Sequence, residues 1–409
     1  MSPKERFIKI LGINKAIMAL SLARMADAMG NSILFILIPL YVAKLPHEYL
    51  PLAVPVLVGL LISLFGFITS IFQPVMGAIS DRLNKRKSLI QLGLGLIAVS
   101  TLFFVFAESF THLVILRAFQ GIGVALTIPA SMSLMTAITQ KESRGSSMGV
   151  FSTFRMIGFA TGPVIGGYLK VYFGFDAAFY AGAALIFLSM LLVQLWVKEV
   201  TLEMDEPATK RLNIFDASLY NAGIFSAAVA IFVMACCFSM VTTLENAFNA
   251  RLGMTAIGFS IAFSMLMVGR LIFQVPVGYL SDNYGRKPFI LVGLILMAVT
   301  TILLGEVQTM SQLIILRLIQ GVAAAGVAAP VFALAADLSS KGGEGRQMSI
   351  ITMGLGLGIA VGPLLAGVLA VFFFELPFIV IGLMTLVGTG VVYHYMPETV
   401  QSEVALFRD

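Results

Sequence analysis

The chain has 409 residues, 59% of them hydrophobic and only 11% charged. Soluble globular proteins carry about 25% charged residues, so a water-soluble surface is excluded and the class is integral membrane protein. The formal net charge of +5 is mild and gives no reason to expect a nucleic-acid partner.

Lipid admits only helices or closed barrels, because every backbone N–H and C=O must be paired internally. Barrel strands alternate apolar and polar residues over about ten positions. Here the apolar blocks are unbroken and about twenty residues long, the length of a spanning helix. Twelve spans are predicted, with cores at 16–42, 52–77, 89–107, 112–138, 148–170, 175–197, 219–247, 255–278, 289–306, 312–337, 348–371 and 376–396. The first contains Arg24 and Asp27 and leads on without a small-residue cleavage site, so it does not read as a cleavable signal peptide. Only 198–217 is a long polar connection, which predicts two six-helix units, 1–197 and 218–409, around a linker. Of the 26 lysines and arginines, eighteen fall on the side of the termini. Lys44, Lys170 and Arg251 fall on the other side, and Arg24, Arg117, Arg155, Arg270 and Arg317 within spans. By the positive-inside rule the termini and the linker are cytoplasmic.

Ionisable groups inside a membrane are costly and mark function by default. Asp27 is the one carboxylate near the middle of a predicted span, and Arg24 lies one helical turn before it. The pair reads as a proton- or cation-binding group, or as a fixed ion pair that anchors the first helix. Glu245 and its neighbour Asn246, near the outer end of the seventh span, either line a cavity mouth or reach solvent. Arg117 is a fixed cation that either tunes a carboxylate, with Asp27 one candidate, or snorkels to the outer surface. Arg155 and Arg270 are pocket cations or snorkelling residues. Gly158, Gly162, Gly166 and Gly167 leave one face of the fifth helix bare for close helix contact, and Pro163 bends it. The adjacent Cys236 and Cys237 read as small packing residues that do not bridge each other. No metal-ligand cluster, phosphate loop or nucleophile–base pair appears, so neither an enzyme nor a cofactor is expected.

The halves repeat. Gly77 and Asp81 match Gly278 and Asp282, with Arg86 set against Lys287; "LRAFQG" (116–121) matches "LRLIQG" (316–321); "GPVIGG" (162–167) matches "GPLLAG" (362–367); Arg144 matches Arg346. Offsets of 200 to 202 in order indicate duplication of a six-helix unit. Arg317 is the repeat mate of Arg117, yet no second-half carboxylate aligns with Asp27.

Two such halves resemble the major facilitator superfamily over essentially the whole chain. The second-to-third-helix loop is similar to its signature: Gly77, Asp81, Arg82, then Lys85 and Arg86, with Asn84 at a position where Gly is more usual. The second copy keeps Asp282, Gly285 and Arg286 and has Asn283 in place of the Arg. "RAFQG", with Arg117, Gln120 and Gly121, resembles the buried-arginine motif of proton-coupled members. "GFATGPVIGG" (158–167) resembles the motif of twelve-helix drug:proton antiporters. The resemblance implies an all-α major facilitator fold of two six-helix bundles related by pseudo-two-fold symmetry. It also implies a latch in which Asp81, with Arg144, meets the N-terminus of the eleventh helix; the basic cluster reads equally as a topology anchor. The implied function is efflux of amphipathic small molecules, multidrug export included, in exchange for protons, by a monomer in the cytoplasmic (inner) membrane. The competing expectation is a lipid, lysolipid or sugar-metabolite exporter or flippase that does not use protons.

Overall fold

The computed structural model describes residues 15–46, 51–83, 85–139, 144–199, 221–338 and 344–400. The linker therefore lies outside the described residues beyond Glu199. Among the described residues, eleven helices are long and apolar enough to cross a membrane. They are α1 (Lys15–Lys44), α2 (Val54–Leu83), α3 (Arg86–Phe103), α4 (Phe110–Ile138), the run Arg144–Trp196, α7 (Ala222–Thr243), α9 (Ala256–Tyr284), α10 (Arg286–Leu304), α11 (Met310–Leu338), α12 (Glu344–Leu369) and α13 (Leu376–Tyr395). The run Arg144–Trp196 has 53 residues, about 80 Å of helix at 1.5 Å per residue, far more than one bilayer. It breaks at Gly174, where φ is 88° and ψ 179°, a backbone that only glycine adopts without strain. Its two arms, α5 and α6, bring the crossings to twelve.

Two ends differ from expectation. The second and eighth spans continue as helix past their apolar cores, to Leu83 and Tyr284, so Asp81 and Asp282 are helical. The predicted span 219–247 instead stops at Thr243, and a separate short helix, α8 (Glu245–Leu252), follows. Phe248 pins α8 in place among Phe259, Phe374 and Phe378.

The chain forms two compact units, 1–48 with 68–211, and 49–67 with 212–409. In the first, an apolar interior including Leu20, Leu94, Leu134, Phe151 and Ile186 joins α1, α3, α4, α5 and α6. In the second, the leading part of α2 lies on α12, where Ser63 donates a 2.5 Å hydrogen bond to the Ala360 carbonyl. Large apolar side chains such as Leu92, Val275 and Val292 point outward, as lipid requires. Both cysteines are buried free thiols.

The repeat persists in local structure. Helices α3 and α10 start on Arg86 and Arg286, so the loop register pairs these two, not Arg86 with Lys287; the first loop is one residue longer. Glu199, just after α6, accepts from the backbone N–H groups of Lys87 and Ser88 at 2.9 and 3.2 Å. Glu398, just after α13, accepts from those of Arg286 and Lys287 at 3.0 and 2.9 Å. Each carboxylate satisfies orphan donors at a helix N-terminus, where the dipole also favours it. Partial burial pushes the Glu398 carboxyl up, but the N–H groups of Arg286, Val400, Lys287 and Thr399 outweigh it, and the net shift is downward. A depressed carboxylate stabilises the fold above its unfolded pKa, and that contribution is lost as pH falls through the folded value. Glu398→Gln is thus expected to cost about 1 kcal/mol at neutral pH. In thermal unfolding the gap to wild type closes as pH drops through and below the ordinary carboxylate range.

Candidate functional site

A buried polar cluster of the first unit lies on α1. Asp27 is buried, 3% exposed. Arg24 forms an ion pair with it, and Asn31 Nδ2 donates to its Oδ1 at 2.6 Å. Arg155 of α5, lying over the Phe159 ring at 5.4 Å, adds a second positive field at this carboxylate. Helix spacing explains the cluster: 24, 27 and 31 are three and four residues apart and share one face. Asn31, one turn after Asp27, belongs to this cluster although the sequence analysis did not single it out; its spacing is the signal that could have found it.

The glycine motif of α5 seats directly on this stretch of α1. A Cβ on Gly158 would fall within 3.0 Å of the Met25 carbonyl and Ala28 Cβ, and one on Gly162 would meet Ser32 Oγ and the Met29 carbonyl at 2.5 Å. Gly166 faces Ile33, Pro163 sits within the helix, and Gly167 is buried. Ser32 donates to the Gly158 carbonyl at 3.3 Å. The second unit repeats this seat: Gly358 and Gly362 of α12 lie on Phe232, Ala235 and Cys236 of α7, and Ser239 donates to the Gly358 carbonyl at 3.2 Å. Pairing Ser32 with Ser239 sets Met234 opposite Asp27. The packing is duplicated and the charge is not.

Arg117 does not snorkel. It is 3% exposed and donates to Gln120 Oε1 at 3.2 Å, while Gln120 donates to Thr101 at 2.9 Å. Asp27 is not its partner: Asp27 borders Thr127 and Ser131, ten or more residues further along α4, about 15 Å of helix. Arg317 repeats the relay, with Gln320 at 2.8 Å and Gln320 to Thr301 at 3.0 Å. The threonines, nineteen residues from their glutamines, carried no sequence signal.

Glu245 opens α8 and is fully buried, so the solvent-facing alternative is overturned; Asn246 beside it is half-buried. Arg270 bonds Gln274 at 3.1 Å. At the loop signature, Gly77 makes ordinary contact with Pro129 and Arg82 is exposed. Arg86 is buried, with its Nε 2.6 Å from Ser133 Oγ. In the second copy Arg286 bonds Asp282 at 3.4 Å and pairs with Asp337 of α11. The side chains of Asp81 and Arg144 lie outside the described residues.

Apolar crossings in two repeated halves define a multi-pass membrane protein. The family model of the Major Facilitator Superfamily matches residues 20–255 and 224–406, and the chain belongs to that superfamily. It is 29% identical over 320 residues to the uncharacterized MFS-type transporter YuxJ of Bacillus subtilis, covering 76% of this chain and 79% of that one. It is 26% identical over 330 residues to the multi-drug resistance efflux pump PmrA of Streptococcus pneumoniae, with coverage of 76% and 79%. The multidrug resistance protein MdtG of Salmonella paratyphi B is 25% identical over 317 residues, with coverage of 76% and 78%. Among solved structures, a POT family transporter in complex with 5-aminolevulinic acid superposes with a TM-score of 0.80 at 13% identity, over 95% of this chain and 99% of that one. A bacterial homolog of the human lysosomal transporter Spinster gives 0.76 at 14%, over 96% and 97%.

Proposed function

We propose that this transporter exports amphipathic small molecules in exchange for protons. It would sit in the cytoplasmic membrane as a monomer, with both termini inside, alternating access as the halves 1–197 and 218–409 rock. The observation that carries the reading is Asp27, a buried carboxylate flanked by two arginines and seated against the glycine face of α5. Such a group can take up and release a proton as its access changes, with Arg24 and Asn31 holding the charged form. The names of PmrA and MdtG support export of drugs. Arg117 and Gln120 stay in the proposal as tuning residues, and Glu245 and Asn246 as substrate contacts. Gly77, Asp81, Arg82, Arg86 and Arg144, with Asp282 and Arg286, form the loop latch. The duplicated Arg–Gln–Thr relay in a half without a matching carboxylate argues that Asp27 alone carries the proton.

The test is proton movement in proteoliposomes of the whole protein, challenged with lipophilic cations, neutral amphiphiles and lysolipids. Cation- or amphiphile-triggered proton movement is expected. Lysolipid movement without protons would replace the reading with lipid export or flipping.

A further inference from the structure

The repeat separates what both units need from what only one of them does. With Gly158 set on Gly358 and Ser32 on Ser239, the glycine seat, the Arg–Gln–Thr relay and the carboxylate caps occur in both units. The charged cluster does not. Arg24, Asp27 and Asn31 correspond to Ile231, Met234 and Phe238, and Arg155 of α5 corresponds to Leu355 of α12. Arg155 is therefore present with Asp27 and absent without it, whereas the Arg117 relay is kept in a unit that has no such carboxylate. We propose that Arg155 is the positioning residue of the proton site: seated against α1 by the glycines of α5, it holds Asp27 charged, and Asp27 takes its proton as α5 moves off that seat. The inference rests on the proton-coupled reading above.

The seat fixes where Arg155 stands. Gly158 lies on Met25, Ala28 and Met29, Gly162 on Met29 and Ser32, and Gly166 on Ile33, so α5 and α1 run in the same direction and in step. Arg155 is one turn before Gly158. It is half-buried and reaches forward over the Phe159 ring, 5.4 Å from its centre. That carries its charge to the level of Gly158, which is also the level of Asp27. The other helices around Asp27 bring Ile90 and Leu94 of α3, Thr127 and Ser131 of α4, and Ser189 and Val193 of α6, and none of these is charged. The cations that act on Asp27 are Arg24 and Arg155, and they differ in one respect. Arg24 travels on the same helix as the carboxylate. Arg155 is on a different helix, and its field weakens as the two helices part. Arg155 is thus the cation that can tie the protonation of Asp27 to a change of conformation. The tie is reciprocal: a charged Asp27 draws α5 onto its seat, and a protonated one releases it. The step adds one proton from water to an Asp27 oxygen, and nothing is oxidised or reduced.

The test is the titration of Asp27 in the full-length protein, read as the carboxyl infrared band that Asp27→Asn removes. In Arg155→Gln the midpoint of that band should rise by about one pH unit or more, the scale of a lost neighbouring cation. Arg155→Lys keeps the charge and should return the midpoint most of the way to wild type. An unmoved midpoint in Arg155→Gln overturns the proposal, and so does a lysine variant that matches the glutamine, or a band that titrates nowhere. The seat is tested with Gly158→Ala, whose Cβ would run into the Met25 carbonyl and push α5 off α1. It should raise the midpoint when Arg155 is present and leave it unchanged when added to Arg155→Gln. Equal shifts in both backgrounds would make seat and charge independent, and the link fails. Substrate-driven proton movement is read in parallel. Its absence in wild type sinks the export reading, while the titration still decides whether Arg155 governs Asp27.

Discussion

Asp27→Asn is expected to abolish substrate-driven proton movement, a loss of roughly a hundredfold or more, the scale on which a positioned proton-transfer group acts. The amide fills the same volume and can keep a hydrogen bond to Asn31, but it cannot carry the proton. It also leaves Arg24 buried beside a neutral group, and breaking a buried pair from one side costs about 3–5 kcal/mol. Lost activity alone would therefore be ambiguous. Arg24→Gln/Asp27→Asn removes both charges, and unfolding experiments should show stability largely recovered. Proton movement should stay absent in the double variant. Recovery of proton movement with recovered stability would make the pair a structural anchor and move the proton site elsewhere.

Gly162→Ala should be among the most damaging single-methyl additions in the molecule. The new Cβ would stand 2.5 Å from the Met29 carbonyl and closer still to Ser32 Oγ. A backbone oxygen cannot rotate away, so α5 must move off α1, at a cost of about 1–3 kcal/mol or more for overpacking. Gly358→Ala in the second unit meets the Phe232 carbonyl and Ala235 Cβ in the same way and should be equally destabilising. Gly149→Ala is the control: nothing lies within 4 Å of its Cβ, and alanine stabilises a helix by about 1 kcal/mol relative to glycine. Thermal unfolding of the three variants gives the ranking. Substrate-free vesicles give the functional consequence: Gly162→Ala should leak protons, since the displaced seat flanks Asp27, and Gly358→Ala should not. Equal leaks would mean the seat serves packing alone.

Much of this was legible in the sequence because lipid leaves few choices. Apolar runs marked the crossings, and three-residue spacing alone put Arg24 on Asp27. Hydropathy, however, senses the edge of the lipid, not the end of a helix, so α2 and α9 outrun their apolar cores. It also missed the break at Leu244: the change from apolar α7 to the polar stretch Glu245–Leu252 marks the edge of the lipid, not that a separate helix begins there. Long-range partners were invisible for a different reason. Glu199 and Glu398 find their helix starts across 112 residues, and Thr101 and Thr301 are ordinary hydroxyls until the fold sets them against glutamines. Arg117 was offered Asp27 as a partner because both are buried charges. Position along α4 separates them.

The two carboxylate caps put a clock on the making of this protein. The start of α3 leaves the ribosome with its first amides unanswered, and Glu199 follows 112 residues later. At about 5–20 residues per second, that wait is on the order of ten seconds. The same interval, 112 residues, recurs between Arg286 and Glu398. Each unit is thus tied off only when its last crossing has been synthesised. A nascent chain halted before residue 199 or 398 holds a third or ninth crossing whose leading end is still open, and it is in that window that quality control would find each unit easiest to take apart.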